Sequence, residues 1–306
     1  MCKKDQSSTT IINNKTQLEM PTPAQPLAGA YPDDWKIVDS LERQGLYKSA
    51  LEKVEAIQAR ARADQNSPQA IKALLFRGKY TTMLEEDGLT KAMQTFEDEI
   101  KTAPQPERAV LQSMLGQLYT MYLQNQAWKI QRRTPIPDGE GGDVLTWSAA
   151  QIERHALDLY AASLEDEKLL QSTPVENFRD ITTASQGDTV NGQVLRPTLY
   201  DLLAHRALAQ FSNERNYLTE PAYKFELDAE NAFAPAADFV KIKFTSPDST
   251  SGKLLAINLF QRVLTAHLAD RDPSALIDAD LVRLQLVRNN SVREDKDRLY
   301  ENALET

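Results

Sequence analysis

The chain has 306 residues, with 35 lysines and arginines against 44 acids and a formal charge of −9. That length suffices for a sizeable core, and the acidic balance argues against nucleic acid as the main partner, because a negative surface repels phosphate backbones. Cys2 is the single cysteine, which excludes an internal disulfide framework and a zinc site built on paired cysteines.

Glycine is scarce, and alanine, leucine, glutamate, glutamine and lysine dominate, a composition that favours helix. No apolar run approaches the roughly 20 residues needed to span a bilayer. The start, Met-Cys-Lys-Lys-Asp-Gln-Ser-Ser, has the form of a bacterial lipoprotein after signal removal, with Cys2 as the lipidated residue and a polar tether behind it. The competing reading of Cys2 is an incidental thiol on an unstructured end. Residues 1–31 are polar and carry Pro21, Pro23 and Pro26, so they read as a disordered tether.

From Pro32 the pattern is helical. Trp35, Val38 and Leu41, then Ala50, Leu51, Val54 and Ile57, recur three and four apart on either side of Gly45-Leu46. That predicts two amphipathic helices folded on each other across a tight turn, neither able to bury its stripe alone. Ser67 and Pro68 start a third helix as N-cap and first helical residue, with Ala70, Leu74, Leu75, Tyr80 and Leu84 apolar. Gly88-Leu89 opens a fourth, carrying Ala92, Met93, Phe96 and Ile100, which ends at Pro104 and Pro106. Gly45-Leu46 and Gly88-Leu89 lie 43 residues apart, a weak repeat of helical-hairpin length, longer than the roughly 34 of a tetratricopeptide unit.

Glu107 to Arg132 reads as the longest helix. Its stripe of Leu111, Met114, Leu115, Leu118 and Tyr122 is widened by Val110, Met121 and Leu123, which predicts a central position. A loop follows over 133–146. Ser148 and Gln151 have capping-box spacing, and Trp147 and Ile152 staple spacing, for a helix reaching about Asp166. Thr173 and Glu176 repeat the cap spacing for a short helix through Phe178. Residues 182–196 read as loop, with Asn191-Gly192 suited to a hairpin turn between Val190 and Val194.

Pro197 opens a helix with Leu199, Leu203, Ala207 and Phe211. Over 213–252 the period changes. Tyr223, Phe225 and Leu227 alternate with Lys224 and Glu226, and Val240, Ile242 and Phe244 with Lys241 and Lys243, so an extended clip across the helices is expected, including a possible two-stranded ribbon. Helices return at Leu254–Ala269, then after Asp272-Pro273 through Leu276, Ile277, Leu281, Leu284 and Leu286, then at Arg293–Thr306. The fold expected is all-α, a tetratricopeptide-like array of stacked helical hairpins, with residues 32–306 as one domain. Such arrays finish in a polar capping helix, so the natural protein is expected to continue beyond Thr306.

Candidate chemistry is sparse. The histidines are His155, His205 and His267. Asp201 and His205, four apart on one helix, could form an acid–base pair or touch a metal, but no His-Glu-x-x-His arrangement supplies further ligands. Solvated or hydrogen-bonded helix histidines are the expectation. Asp138, Glu140 and Asp143 in the glycine loop offer oxygens for calcium, but their order departs from the calcium-loop pattern, and a surface loop is the expectation. Trp128 beside Lys129, Arg132 and Arg133 could stack a sugar or base; the expectation is a tryptophan held by packing, with Trp35 in the core. No phosphate loop, dinucleotide fingerprint or Gly-x-Ser-x-Gly elbow occurs, so the expectation is no enzyme, no cofactor, no metal and no catalytic residue.

At Trp35-Lys-Ile-Val-Asp-Ser-Leu-Glu-Arg-Gln-Gly-Leu-Tyr-Lys-Ser-Ala50 the chain resembles the N-terminal helical region of the large alpha-2-macroglobulin-like lipoproteins of Bacteroidetes. Thr198-Leu-Tyr-Asp-Leu-Leu-Ala-His-Arg-Ala-Leu208, Phe233-Ala-Pro-Ala-Ala-Asp-Phe-Val240 and Asp272-Pro-Ser-Ala-Leu-Ile-Asp-Ala-Asp-Leu281 carry the same resemblance. It implies a protease-inhibitor-like protein of the cell envelope, lipid-anchored in the periplasm or outer membrane. Its partners would be downstream macroglobulin domains of the same protein, and proteases or envelope proteins. Nothing in the chain matches the family's Cys-x-Glu-Gln thioester or its bait segment, so no family catalytic residue carries over. The implied role is a scaffold and interaction module. The alternative is a stand-alone helical lipoprotein that binds glycan or peptide in its concave face, favoured by an exposed aromatic pair facing that groove.

Overall fold

The computed structural model describes residues 30–130, 132–133, 143–182, 192–213, 225–247 and 251–305. Cys2 and nearly all of the expected tether, Asp138 and Glu140, and Val190, Asn191, Tyr223 and Lys224 lie outside them.

The chain is an all-α array. Helices α1 (Ala30–Arg43), α2 (Tyr47–Ala63), α3 (Ser67–Leu84), α4 (Gly88–Thr102) and α5 (Glu107–Asn125) pack each on the next. After the short α6 (Ala127–Ile130) come α7 (Ala149–Ala162), α8 (Glu167–Ser172), α9 (Gly192–Leu195) and α10 (Leu199–Phe211). The four-residue α11 (Ala236–Phe239) lies in the clip, and α12 (Gly252–His267), α13 (Ser274–Asn290) and α14 (Lys296–Leu304) complete the stack. No described helix is long and apolar enough to cross a membrane.

The core divides at α3. Ala70, Ala73 and Tyr80 face Trp35, Val38, Val54 and Ile57 of the first pair, while Ile71 and Leu74 join the larger core that runs on to Leu299. The expected central helix is central: α5 meets α3, α4, α7 and α10, and buries Val110, Leu111, Leu115, Tyr119, Tyr122 and Leu123.

The two Gly-Leu breaks have different physics. Gly45 takes φ +73 and closes α1, with Leu46 N–H donating to Leu41 O (3.0 Å) and Gly45 N–H to Glu42 O (2.9 Å), the paired bonds of a left-handed helix cap. Gly88 is needed for space. A Cβ there would fall 2.3 Å from the Thr81 carbonyl oxygen, so α3 and α4 meet this closely only across a bare Cα.

Several boundaries move. Helix α1 starts at Ala30, inside the expected tether, because Tyr31 is buried and donates its hydroxyl to Asp64 (2.6 Å). Asn66, rather than Ser67, caps α3, accepting from Gln69 N–H at 3.2 Å. The helix from Glu107 breaks at Gln126, after which Ile130 turns inward. Helix α7 stops at Ala162. Val175–Ile181 is a 3-10 turn without a Thr173 cap, because the Thr173 carbonyl accepts from Leu199 N–H (2.8 Å) and its hydroxyl donates to Leu169 O (2.7 Å). Gly192 opens the helical turn α9 instead of completing a hairpin turn. Helix α14 begins at Lys296, because Ser291 bridges to Leu227 and keeps the approach extended.

The stripe of α13 is shifted from the expected one: Leu284 and Leu286 are buried as expected and Leu276 is half-buried, but Ile277 and Leu281 are exposed, and Ala275, Ala279, Arg283 and Val287 are buried. Arg283 draws that face inward by donating to Ala232 O (2.6 Å) and Ala234 O (3.0 Å) in the clip. Over its described residues the clip has no strand ladder. It consists of a 3-10 turn at Glu230–Phe233, helix α11 and extended chain, held by side chains on its carbonyls. Gln261 Nε2 donates to Phe239 O (2.8 Å) and Ile242 O (2.7 Å), and Arg293 to Asp228 O (3.0 Å). The alternation still sets which side chains are covered: Phe225 and Leu227 are buried, and Ile242 and Phe244 half-buried between exposed lysines.

Candidate functional site

A cleft of about 670 Å³ opens between α4, α5, the turn at Val144–Thr146 and the start of α7. Its walls follow from local sequence. Helix α4 is amphipathic, with Ala92, Met93 and Phe96 inward, so Lys91, Gln94 and Glu97 fall on the open side. Helix α7 starts with the expected capping box: Ser148 Oγ accepts from Gln151 N–H (3.3 Å) and Gln151 Oε1 from Ser148 N–H (2.9 Å). Trp147 and Ile152, the staple pair, are both buried. Arg133 clamps the turn by donating to Val144 O (3.2 Å) and Trp147 O (3.0 Å).

Four side chains from three helices and the turn meet at the cleft wall. The rings of Tyr119 and Trp147 lie parallel with centroids 5.8 Å apart, and the His155 ring stands edge-on to both, at 4.6 and 5.0 Å. The Tyr119 hydroxyl donates to Glu97 Oε1, and His155 Nε2 lies 3.6 Å from the same oxygen. The His155 ring and the Tyr119 hydroxyl hold the Glu97 carboxyl below the usual carboxylate range, against the opposing effect of burial. Burial, and then Glu97, push the Tyr119 phenol up, so Glu97 is ionised and Tyr119 protonated at neutral pH. Trp147 Nε1 and His155 Nε2 have no hydrogen-bond partner among the described residues.

The charges on the rim are unevenly committed. Lys91 pairs with Glu85 and Asp87, and Lys101 with Asp98 (2.8 Å). Glu97, Asp143 and Asp158 have no lysine or arginine partner among the described residues, and Arg154 and Asp158 are exposed. Asp143 caps the Val144–Thr146 turn through Leu145 N–H (2.9 Å).

Asp201 and His205 are not an acid–base pair. Asp201 is the third residue of α10, accepting from Thr198 N–H (2.9 Å), and its other oxygen meets His267 Nε2 of α12 at 2.8 Å. His267 Nδ1 meets Asp270 at 2.7 Å. The Asp201 bond, and then Asp270, raise His267 to about 9 against the effect of burial, so it is an imidazolium between two carboxylates at the C-terminal end of α12. Burial, and then the Arg196 charge, lower His205 to about 4. All three histidines sit in packed or bonded settings.

Trp128 is 62% exposed with Lys129 Nζ 5.3 Å from its ring, so packing does not pin it as expected. Trp35 is in the core, donating Nε1 to Gln69 Oε1 (2.7 Å). Among the described residues no group of three or more His, Cys, Asp and Glu side chains converges as metal ligands would. The cleft constellation was missed from sequence, because Glu97, Tyr119, Trp147 and His155 share no local spacing; Trp147 stood out only through its staple position and His155 only as a histidine. Comparison with protein-family models, curated proteins and solved structures finds no match for this chain.

Proposed function

We propose that the chain is a non-catalytic helical interaction module of an alpha-2-macroglobulin-like envelope protein, tethered through a lipid on Cys2. The observation that supports this reading is where the polar side chains that cross between helices go. Arg62 joins α2 to Glu99 of α4 (2.5 Å) and to Glu107 of α5. Arg206 of α10 donates to Ser113 of α5 (2.9 Å), and Arg262 of α12 to Leu164 O (3.0 Å). His267 joins α12 to α10, and Arg283 ties α13 to the clip. Charged and imidazole groups act as cross-ties between hairpins, which suits a stiff support.

The glycan-binding alternative is weaker. Tyr119 and Trp147 are the aromatics along the cleft, and both are buried against each other and His155 rather than presenting a ring face to a sugar. The purified chain is expected to leave the activity of serine and cysteine proteases unchanged, and to bind the remainder of its parent polypeptide in isothermal titration calorimetry. Protease inhibition by the isolated chain, or no heat of binding between the two parts, contradicts the reading.

A further inference from the structure

We propose that the cleft between α4, α5 and α7 is a docking site for an extended polypeptide segment bearing lysine or arginine. This rests on reading the chain as an interaction module and names the chemistry of one partner. A carboxylate acceptor is available there. Glu97 Oε1 takes the Tyr119 hydroxyl and lies 3.6 Å from His155 Nε2, which leaves Glu97 Oε2 to accept from an ammonium or guanidinium. The Trp147 ring lines the same wall, and its Nε1–H is buried without a partner among the described residues. The cleft lining carries Asp87, Glu97, Asp143 and Asp158 against Lys91, Lys101 and Arg154, and the two lysines are also held by Glu85, Asp87 and Asp98, so the balance is acidic. A volume of about 670 Å³ admits a side chain together with its flanking backbone.

The test is a titration of the whole chain, followed by calorimetry and tryptophan fluorescence, with three probes: a short lysine- and arginine-containing peptide, the same peptide with glutamate at the charged positions, and a linear glucose oligosaccharide. The basic peptide is expected to bind saturably and to weaken as salt rises. Glu97→Gln and Asp158→Asn are each expected to weaken it, Glu97→Gln by about tenfold, and Arg154→Glu to tighten it. Asp158 and Arg154 are exposed, so those variants test the site even if Glu97→Gln disturbs the Tyr119 contact. Preference for the acidic peptide or the oligosaccharide, no saturable binding of the basic peptide, or indifference to both Asp158→Asn and Arg154→Glu overturns the proposal. Docking to the rest of the parent polypeptide is a separate measurement, so either reading can fail alone.

Discussion

Gln65 occupies a position that glycine fills better. It has φ +54, and its helix end repeats the cap seen at Gly45, with Asn66 N–H donating to Ala61 O (2.8 Å) and Gln65 N–H to Arg62 O (3.2 Å). A Cβ in the left-handed region costs about 1–2 kcal/mol, and the extra freedom of glycine in the unfolded chain returns about 0.5–1 kcal/mol of that. Gln65→Gly is therefore expected to stabilise the protein by about 0.5–1 kcal/mol in urea denaturation; a loss of stability contradicts the cap argument. His267 and His205 shift in opposite directions. The His267 contribution is complete below pH 6.5 and is lost as pH rises from there through about 9, which amounts to roughly 3 kcal/mol at about 1.4 kcal/mol per pH unit. The His205 contribution is complete above pH 6.5 and is lost as pH falls toward about 4, where protonation must overcome burial. Urea midpoints measured across pH are expected to peak near pH 6–7, and His267→Gln to flatten the alkaline decline. An alkaline slope unchanged in that variant contradicts the assignment. Neither shift was legible in full from the sequence: Asp270 is local to His267, but Asp201, the larger cause, reaches it only once α10 and α12 lie side by side, and the burial of His205 is likewise tertiary.

At the scale of elements, period was the most legible signal. Three- and four-residue spacing located the major helices, and the Ser148–Gln151 spacing located the start of α7. The change of period marked the clip, and its alternation told which side chains are covered. What it could not tell was how the clip is held: its carbonyls meet Gln261, Arg283 and Arg293 side chains and, at one isolated bridge, the Val292 N–H, instead of a ladder. Arg283 is the most buried of these attachments. It is fully buried, bonded to Asp280 and to two clip carbonyls, and its ring neighbour Phe239 lies 4.4 Å from the guanidinium. The available signal was an arginine in register with Ala275, Ala279 and Val287, a place where charge persists only when bonded. Arg283→Ala strands Asp280 and the two carbonyls, so a loss of about 3–5 kcal/mol is expected, with proteolysis shifting into residues 225–247. A loss below about 1 kcal/mol contradicts the clamp.

The whole molecule depends on mutual cover. The first hairpin has its own small core, closed by α3, and α3 lends its opposite face to the larger core. Two polar relays cross the same seam. Arg62 reaches Glu99 and Glu107, and Gln69 accepts from Trp35 while donating to Asp180 at 2.6 Å. Sequence period could announce the hairpins, but not that one helix serves both cores, because Ala70-Ile71 and Ala73-Leu74 are adjacent residues facing opposite ways. Stacked arrays can lose cooperativity, with terminal units opening first. The measurement that bears most directly on the account is urea unfolding followed separately in two single-tryptophan variants, one retaining Trp35 in the first core and the other Trp147 in the second. Coincident midpoints are expected, since unfolding either core strips α3 of one of its covers. A Trp35 transition completed before the Trp147 transition begins would mean that the first hairpin is an independent attachment, and would contradict the single cross-tied support described here.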